Sequence, residues 1–187
     1  MHTAMAGTIK RGWTSATLPP GYRLGQDWWE LDFDPTTDPT GPNTGYGGWV
    51  HLSLCQNINA GTLPKGACVA WGQTAGDIYN KVAYYADGNL TTNDEDLCAG
   101  VVDEYVSSAG VLTNYYFLLV RGGPTQMIAG GTIAVGDRLV LDSDNTVGQV
   151  IKQAAVDAAN LQIAVGVALA AGTDTNLFRA HFRGIFS

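Results

Sequence analysis

Ala60-Gly-Thr-Leu-Pro-Lys-Gly-Ala-Cys-Val69 and Gly130-Gly-Thr-Ile-Ala-Val-Gly-Asp-Arg-Leu139 place the same glycine frame at two points of the chain, seventy residues apart. In each stretch a Gly-Thr pair is followed by an apolar residue, two further positions and another glycine. Glycine adopts the positive φ of tight turns without steric cost, so each stretch predicts a turn that leads into a strand. The recurrence of the frame predicts an internal repeat.

Two further similarities follow the glycine frames in the same order. Ala99-Gly-Val-Val102 is similar to Val165-Gly-Val-Ala168, sixty-six residues later. The stretch 113–122 shares Thr-Asn, Arg and Gly with the stretch 175–184, sixty-two residues later. The spacing shortens along the chain, which requires only shorter loops in the second copy.

The order of these pieces predicts two similar half-repeats, at about residues 58–123 and 128–187. A chain of about 60 residues buries only a small core, so we expect neither half to fold alone. We expect the halves to close on each other into one pseudo-symmetric barrel, because closure removes the sheet edges that invite uncontrolled strand pairing.

Short segments rich in β-branched and aromatic residues recur from residue 55 onward, separated by Gly, Asn and Asp. β-Branched and aromatic residues favour strands, whereas Gly, Asn and Asp favour turns. The pattern predicts an all-β fold, with a compact β-barrel or β-tulip-like domain over residues 55–187 that is built from the two half-repeats. We expect one short helix, in the alanine-rich segment 153–160.

Residues 1–54 differ in composition from the rest of the chain. They hold five of the seven prolines and four of the five tryptophans. Proline fixes φ and removes a hydrogen-bond donor, whereas a disordered segment normally lacks aromatic residues. We predict that residues 1–54 form an extended, irregular N-terminal arm, rich in Pro and Trp, that reaches a partner. The alternative is an irregular lid that packs on its own domain.

Aromatic side chains on such an arm are candidate partner contacts, because they bury a large rigid surface at a low entropic cost. A binding interface formed by aromatic side chains requires no catalytic group. The candidates are Trp13, Trp28, Trp29, Tyr46 and Trp49.

The composition argues against several classes of partner. The 187 residues carry a formal net charge of −7, with only 10 Lys and Arg residues. Nucleic acids and anionic membrane surfaces bind through cationic side chains, so we expect neither as a partner. The sequence contains no run of about 18 apolar residues, so no membrane span is predicted. No apolar run follows Lys10 and Arg11, as a secretory signal would require.

Side chains that carry chemistry are few and scattered. The histidines are His2, His51 and His181, and none has a neighbour at the spacing of metal ligands. The three cysteines fit no CxxC pattern, and we interpret them as reduced thiols of a protein made in the cytoplasm. No nucleophile elbow and no P-loop occurs. We therefore predict no catalytic residue, no cofactor, no metal site and no enzymatic activity.

Tailed-phage capsid decoration (cement) proteins are the family that this chain resembles. The resemblance rests on the glycine frame at 130–140, the segment Ile163-Ala-Val-Gly-Val-Ala-Leu-Ala-Ala-Gly172 and a terminal strand, and it covers about residues 58–187. It implies a structural virion protein that is made in the host cytoplasm and forms a homotrimer on the capsid surface. It also implies a partner, the major capsid protein, whose subunits the trimer bridges to stabilise the head.

Two other functions fit the same residues. The first is a β-barrel component of a phage tail, fibre or baseplate. The second is a carbohydrate-binding β module, in which Trp28-Trp29 or Tyr84-Tyr85 would provide a stacking platform for sugar rings.

Overall fold

The computed structural model describes residues 9–32, 48–71, 81–84, 98–142, 148–154 and 164–183. Within these ranges the regular secondary structure consists of strands, without a helix, so the all-β prediction is confirmed. Accordingly, the described residues contain no helix with the length and hydropathy of a membrane span. The strands are β1 (Thr14–Ser15), β2 (Asp27–Leu31), β3 (Trp49–Asn57), β4 (Cys68–Trp71), β5 (Lys81–Tyr84), β6 (Cys98–Val102), β7 (Tyr116–Ile128), β8 (Arg138–Leu141), β9 (Val150–Lys152), β10 (Gly166–Ala168) and β11 (Leu177–Phe182).

Five strands close into a ring in the first half of the chain. β3 pairs with β5 in parallel, and the antiparallel pairs β5–β4, β4–β6, β6–β7 and β7–β3 complete the circuit. Only residues 116–122 of β7 take part in the pairing with β3. We call this closed barrel the first ring.

The second half repeats the circuit with the remaining residues of β7. Residues 123–128 of β7 pair with β11, and the antiparallel pairs β11–β10, β10–β8 and β8–β9 follow. A parallel bridge from Val150 of β9 to Ala129, the residue after β7, completes the second ring. It corresponds to the parallel pair between Val82 and Asn57 in the first ring.

The pairing register is the same in both rings. Val69 pairs with Tyr84 on one side and Gly100 on the other. Leu139, seventy residues later, pairs with Lys152 and Gly166 in the same way.

The glycine frames form the same local structure in both halves. Leu63 makes an isolated bridge to Val111, and Ile133 makes the corresponding bridge to Gly172. Each frame therefore fastens the turn before β4 or β8 to the turn before the last strand of its own ring.

The closure of the halves differs from the expectation of a single barrel, because each half forms its own ring. The 13 residues of β7 make this arrangement cohesive, since one continuous strand belongs to both rings. The small core that each half can bury is supplemented by contact between the rings, and one hydrophobic cluster spans both of them. The chain thus satisfies the size constraint by sharing a strand and a core.

The alignment of the last strands of the two rings in the structure differs by one residue from the alignment expected from the sequence. Identity of Thr-Asn pairs predicts an offset of sixty-two, but the pairs Val101–Val120 and Val167–His181 give sixty-one. The turn before the last strand explains the difference, because Asn114 and Thr175 both adopt a positive φ, of 65° and 63°. The backbone conformation of the turn, and not the identity of its side chains, is what the two halves share.

Two hydrophobic clusters fill the molecule. One lies inside the first ring and comprises Cys55, Leu63, Ala67, Val69, Val82, Ala99, Val102, Val106, Val111, Phe117, Leu119 and Ile128. The other combines the inside of the second ring, including Leu139 and Phe178, with the outer face of the first ring, including Leu118 and Val120. Strands such as β7 are therefore buried on both faces, and they read as nearly continuous apolar runs.

The described parts of residues 1–54 pack on the first ring, which differs from an extended arm with a boundary at residue 54. β1 pairs with β7, β2 pairs with the first half of β3, and the predicted boundary falls inside β3. Asp27–Leu31 forms a strand because it lies clear of proline, whereas the proline-dense stretch 35–42 falls outside the described residues. The lid alternative is closer to this arrangement, although the covering segment contains regular strands.

The shared strand and core generate a prediction about cooperativity. Phe117 and Phe178 occupy equivalent places in the two rings and are 0% and 4% exposed. We expect Phe117→Ala and Phe178→Ala each to lower the free energy of unfolding by about 3–5 kcal/mol while preserving one transition in chemical denaturation. Val135→Ala is the control, because Val135 is 67% exposed. Two separate transitions in either variant would contradict the shared core.

Candidate functional site

An exposed aromatic patch lies on the hairpin-like pair of β2 and β3. Trp29 and Trp49 are 51% and 59% exposed, the highest values among the large aromatic residues of the described chain. Trp29 stacks on His51, with ring centroids 4.8 Å apart and planes inclined by 15°. Leu31 pairs with Trp49 in the same register in which Trp29 pairs with His51. We call Trp29, Leu31, Trp49 and His51 the aromatic patch.

The alternation of side chains along a strand places the aromatic side chains of the patch on the outer face. Successive residues of a strand point to opposite faces, and the intervening residues Trp28, Val50 and Leu52 pack in the hydrophobic cluster. A shift by one residue would expose Val50 and Leu52, which are both fully buried. The burial of one face therefore fixes the exposure of Trp29 and Trp49 on the other.

The carboxylate of Asp27 borders the patch beside the imidazole of His51. Asp27 Oδ1 accepts a hydrogen bond from Ser53 Oγ and lies 3.8 Å from His51 Nε2. Burial lowers the pKa of His51 below its ordinary 6.5, although the negative charge of Asp27 acts in the opposite direction. The imidazole is therefore predominantly neutral at pH 7 and presents a flat, apolar face to the ring of Trp29.

Close backbone packing braces the strand that carries Trp49 and His51. β3 pairs with β2 on one edge and with β7 on the other. At the end of the β7 pairing, a Cβ atom on Gly123 would lie 2.5 Å from the carbonyl oxygen of Trp49. Gly123 also has a φ of 109°, so only glycine fits there without strain. The patch consequently sits on a rigid support.

A buried ion-pair cluster fastens the N-terminal segment to the first ring. The Arg11 side chain is 1% exposed and makes an ion pair with Asp32 Oδ1. It also binds Asp103 with two nitrogens, Nη2 at 2.7 Å and Nε at 3.2 Å. Its guanidinium carbon lies 4.4 Å from the centre of the Tyr105 ring. These residues and Glu104, whose Oε1 lies 3.6 Å from Arg11 Nη2, form the Arg11 cluster.

The Arg11 cluster has more negative than positive groups. Arg11 is the one cation among its members and faces the carboxyl groups of Asp32, Asp103 and Glu104. Burial raises the pKa of Glu104 to about 8 despite the opposing attraction of Arg11, and the two other carboxylates raise it further. Glu104 therefore carries a proton at pH 7 in most molecules, which reduces the repulsion within the cluster.

The structure separates the five candidate partner contacts. Trp29 and Trp49 are exposed, whereas Trp13 and Trp28 are partly buried and pack against the hydrophobic cluster. Tyr46 lies outside the described residues. Two of the five candidates thus form one surface.

Strand geometry also decides whether the tryptophan pair predicted as a platform for sugar rings can form one. Trp28 and Trp29 are adjacent in β2 and point to opposite faces, so they do not form a single platform. The side chain of Tyr84 and the whole of Tyr85 lie outside the described residues.

Sequence reasoning missed the Arg11 cluster. Arg11 follows Lys10 near the N-terminus and reads as a solvated tail, although it is 3% exposed. The available signal was Asp103-Glu104 directly after the apolar strand β6, where buried carboxylates require a cationic partner. Nothing in the local sequence identified that partner.

The three cysteines are buried and free. Burial raises the pKa of Cys55 and Cys98 to about 12 and raises that of Cys68 well above its ordinary value. Thiols in this state are poor nucleophiles and poor metal ligands. Among the described residues no group of three His, Cys, Asp or Glu side chains is placed to hold a metal ion.

Removal of the Arg11 guanidinium tests the fastening role. We expect Arg11→Met to lower the free energy of unfolding by about 3–5 kcal/mol, because it leaves buried carboxylates without their cation. Arg23→Met is the matched control at an exposed position, with an expected change within about 0.5 kcal/mol. Denaturant titration at constant pH measures both values, and equal effects of the two substitutions would refute the assignment.

The pKa of Glu104 predicts a pH dependence of stability. The folded-state pKa of about 8 lies above the ordinary value of 4.5, so the folded state binds the proton more tightly. The stability contributed by this proton is complete below about pH 4.5 and is lost as the pH rises through about 8. Glu104→Gln remains neutral, so we expect the variant to lose less stability than the wild type between about pH 5 and pH 9. Parallel curves of unfolding free energy against pH would be inconsistent with a proton on Glu104.

Comparison with known proteins finds similarity at the level of solved structures. No family model and no curated protein matches the chain. Among solved structures, the chain is similar to the N base of the head fiber gp8.5 of bacteriophage phi29. The TM-score is 0.45 and the sequence identity is 14%, over 73% of this chain and 99% of that chain.

Proposed function

We propose that this chain is a capsid decoration protein of a tailed phage, a structural virion protein that binds the outer surface of the head. Its aromatic patch contacts the major capsid protein, and a homotrimer bridges neighbouring capsid subunits. The observation that supports this proposal most directly is the pair of exposed tryptophans, Trp29 and Trp49, on a strand braced at both edges. The proposal assigns the chain adhesion and no reaction.

The energetics of the patch suit binding to another protein. Tryptophan is enriched among the few residues that carry most of the binding free energy at interfaces. Trp29 is already held by its stacking on His51, so little side-chain entropy remains to be lost when a partner covers it. The neutral imidazole of His51 adds apolar area without the cost of burying a charge.

The architecture suits a protein under mechanical load. Each half is a closed ring, and one strand of 13 residues runs through both rings. Closed rings leave few sheet edges for uncontrolled pairing. The resemblance of the glycine frame at 130–140 to capsid decoration proteins supports the same assignment, and a trimer presenting three patches would multiply the strength of each contact.

The test replaces the two exposed tryptophans. We expect Trp29→Ala with Trp49→Ala to weaken saturable binding to undecorated heads of the cognate phage at least tenfold, since truncating a hot-spot residue costs about 2 kcal/mol or more and tryptophan is enriched among hot spots. The double variant should retain the circular dichroism and unfolding midpoint of the wild type, because both indole side chains are exposed. Binding is measured by co-sedimentation, and decorated heads should disrupt at a higher temperature than bare ones.

Leu112→Ala with Val135→Ala is the control, because these residues are 45% and 67% exposed and lie outside the aromatic patch. Equal loss of binding in both double variants would contradict the role of the patch. Wild-type protein that fails to bind heads, or that labels tails, fibres or baseplates in electron micrographs, would overturn the capsid assignment. Tryptophan fluorescence quenching by soluble glycans would favour a carbohydrate-binding module.

A further inference from the structure

The outer faces of the two rings differ although their strands pair identically. Leu118 and Val120 of β7 are fully buried on the outer face of the first ring. The equivalent residues of β11 in the second ring are Arg179 and His181, and both are exposed. A buried apolar face in one ring therefore corresponds to an exposed polar face in the other.

The same replacement occurs on the neighbouring strand. Cys68 of β4 is fully buried, and its equivalent in β8 is the exposed Arg138. Val167 of β10 pairs with Arg138 on one side and with His181 on the other. Since directly paired residues share a face, these three side chains form a row across β8, β10 and β11.

Two more arginines extend this row along β11. Arg179 lies two positions before His181 and Arg183 lies two positions after it, so the three side chains point to the same face. All of them are exposed. We call Arg138, Arg179, His181 and Arg183 the arginine face.

The concentration of arginine is unusual for this chain. Only 10 of its 187 residues are Lys or Arg and its net charge is −7, yet three of its six arginines lie on this face. Asp137 accepts a hydrogen bond from the Ala134 backbone and lies 3.9 Å from Lys152. Arg179 favours the ionised form of Glu104, because its positive charge lowers the pKa of that carboxyl group.

The covering of the first ring explains why the second face is polar. In the first ring, side chains of the N-terminal segment, namely Trp13, Leu18, Tyr22 and Trp28, pack against the hydrophobic cluster that contains Leu118 and Val120. Within the described residues no equivalent segment lies over β8, β10 and β11, whose arginines remain exposed. Among the described residues, the chain thus carries two copies of one face, one closed by the N-terminal segment together with the second ring and one whose charged side chains are exposed.

We propose that the arginine face binds an extended acidic segment of a partner protein, whose carboxylates the arginines engage. Arginine presents a planar fork that matches a carboxylate with two hydrogen bonds. Alternate residues of β11 are about 7 Å apart, which is also the spacing of alternate carboxylates in an extended peptide. The proposal uses a surface other than the aromatic patch, and it stands whether or not the chain decorates a capsid.

A nucleic acid is the other polyanion to consider. Its binding depends on many phosphate contacts in a field of positive charge, whereas this face has three arginines and a histidine on a chain of net charge −7. The observations therefore favour a short acidic peptide, and nucleic acid becomes one outcome of the test.

The experiment uses three labelled probes with the full chain: a peptide of alternating Glu and Thr, the same peptide with Gln in place of Glu, and a single-stranded DNA oligonucleotide. We expect fluorescence anisotropy to show binding of the Glu peptide that weakens with added salt, and negligible binding of the Gln peptide. The triple variant Arg138→Ser, Arg179→Ser, Arg183→Ser should bind the Glu peptide at least tenfold more weakly.

The control variant removes the same charge elsewhere, through Lys10→Ser, Arg23→Ser and Lys65→Ser, and should bind within twofold of the wild type. Circular dichroism checks the fold of each variant. If the triple variant does not fold, Arg138→Ser with Arg183→Ser retains Arg179 and should still lose most of the binding. Equal weakening in the control, tighter binding of the DNA, or no binding of the Glu peptide at low salt would each overturn the proposal.

Discussion

One strand holds the molecule together. β7 contributes residues 116–122 to the first ring and residues 123–128 to the second. Displacement of this strand would therefore open both rings. The hydrophobic cluster on the outer face of the first ring continues into the interior of the second. A half of this size buries only a small core of its own, and the common strand with its common core enlarges the apolar surface that both halves bury. Other features of the fold are arranged around this strand, including the N-terminal segment that covers it.

The two rings show how burial determines residue type when the backbone stays the same. Their pairing registers agree at each strand, but one outer face is covered and the other is open. Leu118 and Val120 under the cover correspond to Arg179 and His181 in the open. The covered face also required a fastening, which Arg11 provides by reaching Asp103 at the end of β6. The two halves thus present equivalent faces that differ in burial and, with it, in residue type.

The sequence predicted the repeat because glycines report backbone geometry. The frames at 61–66 and 131–136 mark turns with a positive φ at Gly66 and Gly136, and such turns depend on local chemistry. Ring closure was not predictable in this way, since the parallel bridge from Ala129 to Val150 depends on tertiary packing and leaves no local pattern. The exposed Trp29 and Trp49 were identified by residue type, but their separation from Trp13 and Trp28 required the register of β2 on β3. Arg11 was missed because its partners lie far away in sequence.

A repeat that shares a strand has no intrinsic end. β11 stands in the second ring where residues 116–122 of β7 stand in the first, and in β7 the chain continues straight on to begin the next ring. Elongation of β11 in the same direction would therefore place the opening strand of a third ring. Each ring built on this plan supplies the starting strand of its successor, but a third ring would also need an apolar outer face on the second ring, where the exposed Arg179 and His181 stand in place of Leu118 and Val120.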